Sequence, residues 1–104
     1  MSRESDATVQ QALRAGDLEM VAEHVTKNEQ LLNFRDENGE MIVHQAITYN
    51  QFPILQYLVD QFPQTVKQRD RGGRTGLHIA AIQKNEAMYE LLLSKGGDPK
   101  ALDQ

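Results

Sequence analysis

The chain repeats itself. Laid on itself with an offset of 34, Asp36 falls on Asp70, Gly39 on Gly73, His44 on His78, Ala46 on Ala80 and Leu58 on Leu92. Val43/Leu77, Ile54/Met88 and Val59/Leu93 stay apolar at the same offset. One period earlier, Val9, Ala12 and Val25 fall under Val43, Ala46 and Val59. The next matching aspartate, Asp103, follows Asp70 by 33. The 104 residues are therefore three units and little else. A period of this length implies a linear stack, in which each unit buries its apolar face against its neighbour because it cannot do so alone.

Each unit carries the same local signals. A turn comes first, with Asp and Gly three apart (Asp36/Gly39 and Asp70/Gly73), residue types that bond their own backbone or tolerate positive φ. A short helix is predicted next, from Val43, Ala46 and Ile47 in unit two and Leu77, Ala80 and Ala81 in unit three. Gly16 and Asn50 mark a break. A second helix follows, with Leu55, Leu58 and Val59, or Met88, Leu91 and Leu92, at helical spacing. Pro53 suits its first turn, and Gly96-Gly97 ends the last one.

Composition narrows the class. With 11 Lys+Arg against 15 Asp+Glu and a net charge of −4, the chain as a whole is not a basic nucleic-acid module. It has no Cys, which removes disulfide frameworks and thiolate metal or redox sites. No apolar run approaches the roughly 20 residues of a membrane span, so no membrane insertion is expected. Met1–Asp6 is polar and lacks the apolar segment of a secretory signal. These features predict an intracellular, cytoplasmic location, with the nucleus also open.

The repeat resembles the ankyrin repeat. Arg74-Thr75-Gly76-Leu77-His78-Ile79-Ala80-Ala81 is similar to the family's G-x-T-P-L-H-L-A-A box, and Leu91-Leu92-Leu93-Ser94-Lys95-Gly96-Gly97-Asp98 to its L-L-L-x-x-G-A-D ending. Unit two keeps Asp36, Gly39, His44 and Ala46, with Met41-Ile42 where the family has Thr-Pro and one extra loop residue around Gln61-Phe62-Pro63. Gly76 stands where Pro is usual and Lys84 where Gly is usual, departures expected to weaken the first helix and the break of unit three. The resemblance implies an all-α, ankyrin-type solenoid of antiparallel helix pairs with projecting β-turn fingers. Residues 1–6 form a polar N-terminal tail, and 7–104 a single repeat domain divided at about 7–35, 36–69 and 70–103.

Unit one reads as an N-terminal cap, since Glu23 and His24 replace the Tyr57/Leu91 and Leu58/Leu92 columns and Gln10 replaces the histidines. Terminal units need such a polar face. Unit three keeps Leu91-Leu92-Leu93, and Asp103-Gln104 would begin a fourth turn. The expectation is a chain cut from a longer protein, or an end that something covers, with self-association as one outcome.

His44 and His78 would need a converging third ligand or a nucleophile to form a metal or acid–base site, and the sequence offers neither. The resemblance implies that these histidines link neighbouring turns. His24 is expected to face solvent. No G-x-x-x-x-G-K-[ST], H-E-x-x-H or G-x-S-x-G occurs. No catalytic residue, cofactor site or metal site is therefore assigned.

Charge is unevenly placed. Residues 1–60 carry 4 basic and 10 acidic groups, and residues 61–104 carry 7 and 5. The contrast concentrates in the turns, acidic at Asp36-Glu37-Asn38-Gly39-Glu40 and basic over Lys67–Arg74. The two readings are ordinary solvated charge and a bipolar surface that orients a partner. Among the aromatics, Phe52, Tyr57 and Tyr89 are expected in or beside the core, and Phe34 and Phe62 between units. For Tyr49, at the end of a first helix, packing under the turn and binding both stand.

By resemblance, the contact positions are the turn tips and the groove-side ends of the first helices. These are Glu37, Asn38, Glu40, Thr48 and Tyr49 in unit two and Arg71, Gly72, Arg74, Ile82 and Gln83 in unit three, with Arg14 and Ala15 equivalent in the cap. The expected function is non-catalytic binding of another protein or peptide, as a scaffold or regulator. Two alternatives stay open: a structural segment of a longer array, and a nucleotide, RNA or phosphoinositide sensor using the basic turn 67–74. Nucleic acid is disfavoured because no aromatic interleaves the four cations for stacking.

Overall fold

In a computed structural model, which describes residues 2–99 with side chains from Val9 onward, the chain forms three helix pairs. They are α1 (Ser2–Ala15) with α2 (Leu18–Lys27), α3 (Ile42–Thr48) with α4 (Phe52–Gln61), and α5 (Gly76–Ile82) with α6 (Glu86–Ser94). The first helices stack in one layer, α1 on α3 on α5, and the second helices in another, α2 on α4 on α6. Short 3₁₀ turns, Glu29–Asn33 and Pro63–Lys67, lead from one unit to the next and themselves lie 34 apart. No strand occurs among the described residues, and none of their helices is long and apolar enough to cross a membrane.

The period explains the core. Val9, Ala12 and Leu13 under Val43, Ala46 and Ile47 are buried, as are Val21 and Val25 under Leu55 and Val59. Ala46 and Ala80 are fully buried, small side chains in a column where neighbouring helices close up. The breaks also repeat. Gly16, Asn50 and Lys84 all adopt left-handed φ, at +76°, +57° and +58°. In each unit the next residue's N–H then reaches the alanine carbonyl at the foot of the break: Asp17 to Ala12 and Gln51 to Ala46 at 2.8 Å, Asn85 to Ala80 at 2.9 Å. This is the hydrogen bond that closes a helix ending in a left-handed residue.

Several expectations are corrected. Ala81 is exposed, because its column is Ile47 in the unit below and nothing among the described residues stacks above it; Ile79, not part of the expected apolar stripe, is buried like Gln45 one unit below. Phe34 does not pack between units but is 42% exposed, whereas Phe62 lies edge-on to Tyr57 with ring centroids 6.1 Å apart. His24 is half-buried rather than solvent-facing. Gly76 answers a close approach, since a Cβ there would stand 2.8 Å from Ile47 Cδ1. Asp103-Gln104, read as the start of a fourth turn, lie outside the described residues.

Candidate functional site: the fingers and the groove beside them

Each finger is built by its aspartate. Asp36 Oδ1 accepts from the N–H groups of Asn38 and Glu40, both at 2.9 Å. The turn closes through Gly39 N–H to the Asp36 carbonyl (3.0 Å) and Asp36 N–H to the Glu40 carbonyl (2.9 Å), with Gly39 at φ +78°. That is a hairpin loop with a glycine bulge. The second finger copies it, with Asp70 N–H to the Arg74 carbonyl (2.8 Å), Gly73 N–H to the Asp70 carbonyl (3.0 Å) and Gly73 at +82°. Burial pushes the Asp70 carboxyl up, but the Arg74 N–H and guanidinium outweigh it and hold the group below its ordinary value.

The histidines fasten the fingers to the helices. His44 Nδ1 accepts from Met41 N–H at 3.1 Å, so its other nitrogen carries the proton and donates to the Gln68 carbonyl of the next connecting loop at 3.0 Å. Burial holds the His44 imidazolium below its ordinary pKa despite that carbonyl. His78 Nδ1 accepts from Thr75 N–H at 2.9 Å. These side chains tie turns to helices, and no group of three or more carboxylate or imidazole side chains that could hold a metal occurs among the described residues.

The positions read as contact residues fall into two sets. Glu37, Asn38, Thr48, Arg71, Gly72, Arg74, Ile82 and Gln83 are exposed, as are Arg14 and Ala15. Ile82 is the most open of the large apolar side chains described, at 64%. Glu40 and Tyr49 are half-buried and engaged. Glu40 Oε2 accepts from Thr48 Oγ1 at 3.3 Å, and burial, aided by Asp36, raises its pKa. Tyr49 meets the cap: Arg14 Nε donates to its hydroxyl at 3.3 Å, and the guanidinium carbon lies 5.8 Å from the ring centroid. That contact is a cation–π pair between successive units.

The basic finger is less open than its composition suggests. Arg74 Nε pairs with Asp70 Oδ2 at 3.1 Å, and Arg69 Nη1 donates to the Gly73 carbonyl at 2.6 Å. Arg71 crosses to the first finger, its N–H donating to the Gly39 carbonyl at 3.1 Å and its guanidinium reaching the Glu37 carbonyl at 3.5 Å. The two fingers thus stand side by side, acidic against basic.

Polar contacts between units, not visible from local pattern, recur at one residue more than the period. Gln68 Nε2 donates to Asn33 Oδ1 (2.8 Å), Asn85 Nδ2 to Asn50 Oδ1 (3.0 Å), and Lys95 pairs with Asp60 at 2.6 Å, each 35 apart like Arg14 and Tyr49. Searching for complementary polar pairs at that offset would have found them.

Comparison with known proteins agrees with this architecture. A family model for ankyrin repeats, in three copies, matches residues 9–103. Human "Ankyrin repeat and SOCS box protein 3" is 30% identical over 97 residues, which cover 91% of this chain and 18% of that protein. Its Bos taurus counterpart is 29% identical over the same extent. The chain therefore spans about a fifth of the length of these relatives. Stacked helix pairs, aspartate-built fingers and the matched repeats lead to one conclusion: the chain belongs to the ankyrin repeat family.

Proposed function

We propose that this chain binds a protein or peptide partner through its fingers and the adjoining groove, and catalyses nothing. Ankyrin repeats are in general protein–protein interaction modules, which supports the class. The observation that carries the location is the exposure of Ile82 at the end of α5, the position one unit on from Thr48, which donates to Glu40 of the acidic finger. An exposed apolar side chain rimmed by charge is the composition of a small binding patch, with the apolar part anchoring and the charges steering. The test is a photoreactive residue placed at Ile82, at Thr48, or at exposed Gln56 on the outer layer. A partner captured at both Ile82 and Thr48 but not at Gln56 supports the reading; capture at Gln56 alone refutes it.

A second reading rests on the far face of unit three. Ala81 and Leu93 occupy the columns that Ile47 and Val59 fill in unit two, yet both are exposed, Leu93 at 36%. Such a face suits a further repeat of a longer array or a second copy of the chain.

A further inference from the structure

The two fingers carry their charges in a fixed order. Glu37 is exposed and Glu40 half-buried on unit two, while Arg71 and Arg74 are exposed on unit three. The groove-side column changes in step: Thr48, held by Glu40, gives way to the open Ile82. At this column the acidic step is polar and the basic step apolar, while in the next column the half-buried Tyr49 gives way to the exposed Gln83. On the far side of unit two the cationic Arg14 is already engaged, its guanidinium lying on Tyr49. Arg74 keeps half of its side chain in solvent although it touches Asp70, so its remaining guanidinium N–H groups can still meet a carboxylate.

We infer that the partner segment is dipolar: a cationic side chain against Glu37 and Glu40, a carboxylate against Arg71 and Arg74, and an apolar side chain beside that carboxylate, resting on Ile82. This deepens the reading proposed above and rests on it. The fingers touch, with the Arg71 N–H on the Gly39 carbonyl and its guanidinium on the Glu37 carbonyl, so the packed-helix spacing of about 8–10 Å is an upper bound; at about 3.3 Å per extended residue, the cation and the carboxylate fall no more than about three residues apart. Like charges facing each other across an interface disfavour the wrong partner, so the ordered pair of fingers selects against uniformly charged segments.

Three fluorescent peptides of equal length test this. One carries Lys and Glu three residues apart with Leu next to the Glu; the second has both charges as Glu, the third both as Lys. Binding is measured by anisotropy to the wild type and to Arg71→Glu, with thermal melts showing that each protein is folded and Arg71→Gln as the milder variant. The expected result is dipolar binding about tenfold tighter than either uniform peptide in the wild type, and a shift of preference to the Lys/Lys peptide in Arg71→Glu. The net charge of −4 by itself favours Lys/Lys, so a dipolar preference cannot come from bulk charge. A nitroxide beside the peptide carboxylate should broaden the amide signals of Gly72 and Gly73 more than those of Glu37 and Asn38. Equal binding of all three peptides, a preference that does not move in Arg71→Glu or Arg71→Gln, or broadening at the wrong finger overturns the inference. Such an outcome leaves the groove reading intact if the captured partner still crosslinks at Ile82 and Thr48.

Discussion

Arg71 lies across Gly39. Its N–H donates to the Gly39 carbonyl at 3.1 Å, and a Cβ built on Gly39 would collide with the Arg71 Cβ and stand 2.9 Å from Nε. Gly73, the same position one unit on, shares the left-handed φ but has nothing within 4 Å among the described residues. The two glycines therefore separate strain from crowding. Gly39→Ala should cost roughly 2–3 kcal/mol, and Gly73→Ala, which meets backbone strain alone, roughly 1 kcal/mol. Urea melts of both variants check this; equal losses would mean that Arg71 does not cover Gly39.

Gly76 and Ile47 should be coupled. The atom that a Gly76 Cβ would meet at 2.8 Å is Ile47 Cδ1, the methyl that Ile47→Val removes. A double-mutant cycle of Gly76→Ala and Ile47→Val should show a favourable interaction of roughly 0.5–1 kcal/mol. Additive effects would place Gly76 away from that side chain.

Lys84 holds φ +58°, a conformation that costs a side chain with a Cβ about 1 kcal/mol or more. Lys84→Gly should raise stability by roughly 0.5–1 kcal/mol, whereas Asn50→Gly should bring no gain, since Asn tolerates the region and the change removes the Asn85–Asn50 hydrogen bond between units. A higher denaturation midpoint for Lys84→Gly is the check, and a lower one would contradict the strained break.

His44 should make folding pH-dependent. Burial holds its folded pKa below the ordinary histidine value, so below that value the unfolded chain binds more protons than the folded one and stability falls as the pH drops. Glu40, whose folded pKa is raised, works with the opposite sign just above the ordinary carboxylate range, where the folded chain binds the extra proton. Melts at about pH 7 and about pH 5.5 should show a loss in the wild type and a smaller loss in His44→Gln, which starts less stable but cannot titrate. An equal loss in both would assign the pH effect elsewhere.

The period made the helices and most of the core legible. Apolar residues at helical spacing, repeated at an offset of 34, fix which faces meet, and Val43, Ala46, Ile47, Leu58 and Leu92 are buried accordingly. Ala81 departs from this because burial in a stack depends on the unit above, which no local pattern encodes. Phe34 departs because hydrophobicity alone does not place a residue in a connecting loop. The fingers' aspartates and glycines were readable from turn chemistry. The Arg14–Tyr49 contact and the crossing of Arg71 over Gly39 were not, because both depend on how far one unit is displaced over the next. Arg74, one of the cations of the basic turn, is bonded to the carboxylate that builds its own turn, a pairing that depends on the folded turn rather than on the pattern.

Binding kinetics of the crosslinked partner test the groove most directly, with wild type, Glu37→Lys and Ile82→Asp compared at low and high salt and each protein's melting temperature recorded. Both changes are on exposed side chains, so the melts should stay close to wild type, within about 0.5 kcal/mol. Glu37→Lys should alter the association rate and its salt dependence, and Ile82→Asp should speed dissociation, because rim charges act on encounter and apolar anchors on residence time. If neither rate moves for either variant while Leu93→Asp abolishes binding, the fingers and groove are not the binding surface, and the partner sits on the far face of unit three.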